Sequence, residues 1–178
     1  MISGYGFGTN DMNTLEIYSE LGQIAERAAT AQELMAQIVR KLHDKLPKYN
    51  WVGFYMLEME SEESTLVLGP FVGAPTQHSR IPVTQGICGA AAASGQTVIV
   101  DDVHSDSRYL ACSLETKSEI VAPVFVQGKV AGELDIDSHD PAAFGPEDRA
   151  LVEHCAALVG KYLERHQSPD LEGRAGRA

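Results

Sequence analysis

Basic residues, cysteines and uninterrupted apolar runs are scarce in this chain, and each scarcity removes a class of protein. Lysine and arginine number 14 against 25 aspartates and glutamates, a formal net charge of −11. A surface of that sign repels a phosphate backbone, which excludes nucleic-acid binding. Three cysteines are too few for a disulfide scaffold, and a domain of this length buries roughly 70% of its unfolded surface without staples. The longest stretch free of charged side chains, residues 81–100, has the length of a bilayer span. Pro82, Thr84, Gln85, Gly86, Gly89, Ser94, Gly95, Gln96 and Thr97 interrupt it, so it reads as loop, short helix and strand, and no membrane insertion is expected. No basic segment followed by an apolar one opens the chain, so the expected location is cytoplasmic, with the cysteines as free thiols.

What is present describes a globular domain: 44% hydrophobic and 22% charged residues lie near the averages for packed proteins and away from those of disordered ones. Residues 1–13 read as a loose arm and residues 167–178, almost without apolar side chains, as a frayed tail, leaving 14–166 as a single domain. From Thr14, Leu15, Tyr18, Leu21, Ile24, Ala25 and Ala28 recur at helical spacing. Thr30 and Glu33 have the spacing of a capping box, and Leu34, Met35, Ile38, Val39 and Leu42 continue a second helix until Pro47 stops it. The period then shortens: residues 51–57 and 65–71 form one hairpin, and residues 119–126 and 130–136 form another about the turn Gln127-Gly128. Between them lie an alanine-rich helical segment at 86–94, a strand at 97–100 and a long irregular connection at 101–117. Pro146 opens a last helix whose stripe runs from Leu151 through Cys155 to Leu163. There is no internal repeat. Hairpin-joined strands flanked by helices predict an α+β fold, a mostly antiparallel six-stranded sheet with the N- and C-terminal helices packed on one face.

The three thiols differ in setting. Cys155 sits on an apolar helical stripe and is expected to act as a small hydrophobe. Cys88 lies between Gly86 and Gly89 where the chain turns, and packing and redox roles both fit it. Cys112 lies in the long loop, where chemistry tends to sit. A thiol of ordinary pKa is only slightly ionised at neutral pH, so a nucleophilic Cys112 needs a cation or base nearby; Arg108, Lys117 and His104 are the candidates. Thr116 and Ser118 read as ordinary strand-edge residues. Asp135 and Asp137 share one face of a strand with Glu133. That face is either solvated or buried, and burial would raise at least one pKa enough to make a proton donor. A metal site of Asp135, Asp137 and Glu119 with His139 is conceivable, but no HExxH or CxxC spacing accompanies it, and no metal is expected.

Seven segments stand in the order and spacing of one family: Trp51-Val52-Gly53-Phe54-Tyr55, Leu68-Gly69-Pro70-Phe71, Gly86-Ile87-Cys88-Gly89, Asp102-Val103-His104, Ala111-Cys112, Ser118-Glu119-Ile120 and Leu134-Asp135-Ile136-Asp137-Ser138. From about Leu15 to Leu163 the chain resembles the free methionine-(R)-sulfoxide reductases, stand-alone GAF-domain enzymes. The resemblance implies a GAF-like fold and thiol-dependent reduction of free L-methionine-(R)-sulfoxide, without a cofactor and with thioredoxin as external reductant. It further implies that Cys112 attacks the sulfoxide sulfur and becomes a sulfenic acid, that Cys88 resolves it as a disulfide, and that Glu119 and Asp137 hold or protonate the sulfoxide oxygen. Asp135 would take the substrate ammonium, Trp51 would wall the S-methyl group, and Tyr55 would line the same pocket. A homodimer through the leading helices is implied as well.

Two features depart from the family pattern. Many members carry a further cysteine ten positions before the one matching Cys88, where this chain has His78; and residues 105–110 and 113–116 differ from the family's loop. The alternative function is a non-catalytic GAF sensor that binds a small molecule or responds to redox state. The expectation that no output domain is attached favours the enzyme. Cyclic-nucleotide binding is disfavoured, since only Arg80, Arg108 or Lys117 could meet a phosphate.

Overall fold

The structure, a computed structural model, describes residues 9–59, 64–110 and 113–166. Helix α1 (Thr9–Arg27) begins earlier than its apolar repeat, so residues 9–13, expected in the arm, are helical; Met12 is the only apolar side chain in that opening stretch, too little for a periodic signal. Helix α2 (Ala31–Lys45) is capped by Thr30, whose Oγ1 accepts from the Glu33 N–H at 3.1 Å. Glu33 reaches back to accept from the Ala29 N–H at 2.9 Å, one residue before the usual capping-box partner. Its predicted stripe, Leu34, Met35, Ile38, Val39 and Leu42, is buried throughout.

Six strands follow: β1 (Trp51–Met59), β2 (Ser64–Val72), β3 (Arg80–Pro82), β4 (Val98–Val100), β5 (Ser118–Val126) and β6 (Lys129–Ser138). They form one sheet in the order β3-β2-β1-β6-β5-β4, and every neighbouring pair is antiparallel. The strand missing from the hydrophobic pattern is β3. It has three residues and ends in proline, which is tolerated at a sheet edge where no ladder N–H is needed. The β5–β6 turn places Gln127 at φ 51° and Gly128 at φ 73°, the positive pair of a type I′ hairpin turn that matches the strand twist.

Alternation along the central strands divides the molecule into two apolar layers. Val52, Phe54, Ile120, Ala122, Val124, Leu134 and Ile136 point to one face and are buried with residues of α1, α2 and α4 (Pro146–His166). Cys155 belongs to this layer and is fully buried, as a small hydrophobe would be. The N- and C-terminal helices therefore share a face, as expected. The opposite face carries Trp51, Tyr55 and Val121 and is closed by α3 (Gly86–Ser94), through Ile87, Cys88 and Ala91, and by Val103 of the connection after β4. Asp148 locks the first turn of α4 to the α2–β1 link: it accepts from Tyr49 Oη at 2.9 Å, from Lys48 Nζ and from the Gly145 N–H at 2.8 Å. Among the described residues no helix is long and apolar enough to cross a membrane.

Candidate active site

The pairing of β1, β6 and β5 sets the chemistry-bearing residues side by side. Trp51 lies opposite Asp137, which lies opposite Glu119; Gly53, Asp135 and Val121 form the next row on this face, and Tyr55, Glu133 and Pro123 the third. All four carboxylates therefore rise from the face that α3 covers. They are buried, at 5% exposure for Glu119 and Asp137, 4% for Asp135 and 0% for Glu133. The solvated-sheet reading of Asp135 and Asp137 is overturned, because α3 crosses above them. Cys88, in the first turn of that helix, brings Sγ to 3.5 Å from Asp135 Oδ2 and 3.9 Å from Glu119 Oε1. Its single proton can serve one acceptor at a time.

Such crowding changes the proton affinities of every group. Burial is the largest cause in each case. It lifts Asp137 to about 7, with the Thr116 hydroxyl partly opposing the rise by hydrogen bonding to the charged form. Asp135 rises well above the carboxylate range through burial and the charge of Asp137. Glu119 does so through burial and the charges of Asp135 and Asp137, and Glu133 through burial and Asp135. The Cys88 thiol is also held far above its ordinary value, by burial and then by Asp135, Glu133 and Glu119. The site thus holds protons more tightly than ordinary carboxyls do, and a cation placed among these groups would favour their charged forms.

The aromatic wall stands beside the acids. The Trp51 indole lies over Gly53, where a Cβ would run into the ring, and stacks on Phe71 (centroids 5.6 Å apart, 21° between planes) and Tyr55 (6.2 Å, 30°). Its Nε1–H donates to the Ala74 carbonyl at 3.1 Å, and the Tyr55 hydroxyl donates to the His78 carbonyl at 2.8 Å. Hydrogen bonds and stacking thus fix both rings before any ligand arrives. A cavity of about 60 Å³ remains between Trp51, Asp137, Thr116, Ser113, Ala74 and His139.

Of the expected site residues, the structure brings Trp51, Tyr55, Cys88, Glu119, Asp135 and Asp137 together, while Cys112 lies outside the described residues. Of its candidate activators, Arg108 is bound to Asp106 through Nε at 2.9 Å and Nη2 at 2.6 Å, and His104 packs edge-on against Tyr109. His139 stands 3.8 Å from Glu115 and only borders the cavity, so the metal grouping imagined with it does not form; Cys88 occupies the place beside the carboxylates. Two residues matter more to the site than strand pattern alone indicates. Thr116, read as an ordinary strand-edge residue, is 1% exposed and bonds to Asp137. Glu133, which strand parity groups with Asp135 and Asp137, shares their burial at 0% exposure.

A family model of the GAF domain matches residues 30–163. The free methionine-R-sulfoxide reductase of Escherichia coli (strain K12) is 36% identical over 156 residues, 85% of this chain and 92% of that one. Among solved structures, the free methionine-R-sulfoxide reductase of Neisseria meningitidis in complex with its substrate superimposes with a TM-score of 0.80 at 31% identity, covering 92% of this chain and 96% of that one. The type II enzyme of Thermoplasma acidophilum gives a TM-score of 0.71 at 40% identity, covering 80% of this chain and 96% of that one. The antiparallel sheet and its helical layer are those of a GAF domain. Within that class the chain belongs to the free methionine-R-sulfoxide reductases, a family of oxidoreductases.

Proposed function

We propose that this chain reduces free L-methionine-(R)-sulfoxide to methionine, with Cys112 as the attacking thiol and Cys88 as the resolving one. The observation that carries the reading is the row of buried, proton-retaining carboxylates between the Trp51 wall and Cys88. In this scheme the Cys112 sulfur attacks the sulfoxide sulfur while Glu119 and Asp137 protonate the oxygen. The oxygen passes from the substrate sulfur to the Cys112 sulfur as the bond between the two sulfurs breaks, so methionine leaves and Cys112 is left as a sulfenic acid. The Cys88 sulfur then displaces that oxygen as water, forming a disulfide. A thioredoxin dithiol restores both thiols and is itself oxidised to a disulfide.

Asp135 receives the substrate ammonium in a charge-assisted contact that a peptide-bound residue cannot offer, which accounts for a free amino acid as substrate. The S-methyl group rests on Trp51, with Tyr55 behind it. The cavity has the volume of about two water molecules, enough for the methylsulfinyl end, so admitting the whole amino acid requires its lining to open. Thioredoxin as reductant, a cytoplasmic location and a homodimer through the leading helices complete the proposal.

The test is turnover of the two sulfoxide epimers with thioredoxin, thioredoxin reductase and a nicotinamide cofactor, read by chiral separation of products. Consumption of the R epimer with the S epimer left intact is expected. A non-catalytic sensor, favoured by the small cavity and by His78 at the family's cysteine position, would bind the sulfoxide and leave both epimers unchanged, and that result overturns the proposal.

A further inference from the structure

We propose that Cys88, Glu119 and Asp135 form a binding site for a borderline divalent cation, Zn2+ by its ligand chemistry, whose occupancy withholds Cys88 and both carboxylates from the reaction. One ligand atom from each residue lies within 4.8 Å of the other two, and all three side chains are buried. A tetrahedral zinc ion with bonds of about 2.3 Å to sulfur and about 2.0 Å to oxygen holds those ligands roughly 3.5 Å apart. The sulfur–oxygen spans here are 3.5 Å to Asp135 and 3.9 Å to Glu119, so closure on an ion asks for only small side-chain movements.

A second observation points to a ligand. Asp135 Oδ1 is buried without a hydrogen-bond partner among the described residues. No hydrogen bond of sound geometry reaches either oxygen of the fully buried Glu133, although the Cys88 thiol stands near enough to ease its charged form. Glu133 has no part in the proposed reaction, and it rises from the same sheet face two residues before Asp135. It is the candidate for a fourth ligand, outside the cluster of Cys88, Glu119 and Asp135 whose atoms already lie close together. Among the described residues no ion pair engages Glu119, Glu133, Asp135 or Asp137. Arg108 acts on Glu119 from a distance, and its guanidinium is already held by Asp106. One substrate ammonium leaves most of this acidity unmatched, whereas a divalent ion answers more of it.

The donor set chooses among ions. A thiolate with carboxylates suits Zn2+ or Co2+, while Mg2+ and Ca2+ demand oxygen alone. On binding, metal–ligand bonds replace the S–H bond of Cys88 and the O–H bond of each ligating carboxyl that holds a proton, and those protons pass to water; no electron is transferred. Metal binding does not depend on the proposed reaction. Only its effect on turnover rests on that reading: a zinc-bound Cys88 cannot attack a sulfenic acid, and Asp135 and Glu119 cannot receive substrate.

The experiment titrates the reduced, full-length chain with Co2+ without oxygen and follows the thiolate-to-cobalt band in the near ultraviolet, then displaces the cobalt with Zn2+. One equivalent per chain is expected, with the band lost in Cys88→Ser and kept in Cys112→Ser. Glu133→Gln, which keeps shape and fold, should weaken affinity about 10- to 100-fold, the usual effect of removing a supporting carboxylate. No saturable band, a band that survives Cys88→Ser, a band that vanishes in Cys112→Ser, or unchanged affinity in Glu133→Gln overturns the proposal. The cobalt readings stand even if the chain reduces no sulfoxide. If it does, Zn2+ should raise KM for the sulfoxide, and inhibition that high substrate leaves undiminished counts against the site.

Discussion

Replacing Asp137 by asparagine should make the protein more stable in alkaline solution, the opposite of what loss of a conserving hydrogen-bonded carboxylate usually does. Burial raises this carboxyl from an ordinary 3.8 to about 7. The folded state therefore holds the proton more tightly than the unfolded chain. The advantage is complete below 3.8, where both states are protonated, and is lost as pH rises through about 7. A gap of about three pH units corresponds to roughly 4 kcal/mol at ~1.36 kcal/mol per unit, an upper bound because neighbouring acids share the protons. Asparagine keeps an acceptor for Thr116 and carries no charge to bury. Urea unfolding at a series of pH values reads the difference. The parent chain should lose stability from about pH 4 to 8, steeply because Glu119, Asp135 and Glu133 shift in the same direction. Asp137→Asn should match it in acid and exceed it by up to about 4 kcal/mol near pH 8.5. A variant less stable than the parent in alkali, or a parent whose stability climbs over that range, refutes the account of this site as a store of buried protons.

Gly53→Ala should drive the new Cβ into the Trp51 indole, costing about 1–3 kcal/mol as overpacking; Trp51 is the chain's single tryptophan, so its emission should shift, and unchanged stability with unchanged fluorescence counts against the placement of the ring over the sheet. Cys112→Ser should abolish reduction of free methionine-(R)-sulfoxide, whereas Cys88→Ser should retain one stoichiometric turnover and lose recycling; rapid-quench measurement of methionine formed per chain distinguishes the two, and loss of the first turnover in Cys88→Ser contradicts the order of steps. N-acetylation of the sulfoxide should reduce kcat/KM at least about 10-fold by removing a charged hydrogen bond of ~1.5–3 kcal/mol; equal rates for the two substrates rule out the Asp135 contact.

Periodicity made much of this architecture legible, because an element that buries one face must repeat its apolar residues at its own pitch. The stripe Leu34 to Leu42 and the turn at Gln127-Gly128 are cases where local chemistry and tertiary packing agree. The three-residue β3 has too few positions for a period, and the first residues of α1 carry almost no apolar side chain. At the site, strand parity grouped Glu133, Asp135 and Asp137, but parity cannot say which face is wet. That depends on α3 crossing the sheet, a contact between segments distant in sequence. The approach of Cys88 to Asp135 and the bond from Thr116 to Asp137 are hidden for the same reason. The resemblance to the reductases supplied the grouping of Cys88 with the acids, which spacing alone had left open.

The electrostatics also bear on which thiol acts first. A sulfur attacks as thiolate, and negative carboxylates oppose that form. Cys88 is buried against Asp135 and Glu119, with Glu133 near, so its thiolate is disfavoured more strongly than that of a solvated loop cysteine. It is poorly suited to attack a sulfoxide unaided. Resolution makes a different demand: the leaving oxygen departs as water only if a proton reaches it, and the carboxyls around Cys88, whose proton affinities burial raises, are suited to deliver one. Acids that handicap Cys88 as first nucleophile would therefore assist it as second, the place that the proposed reaction assigns to it.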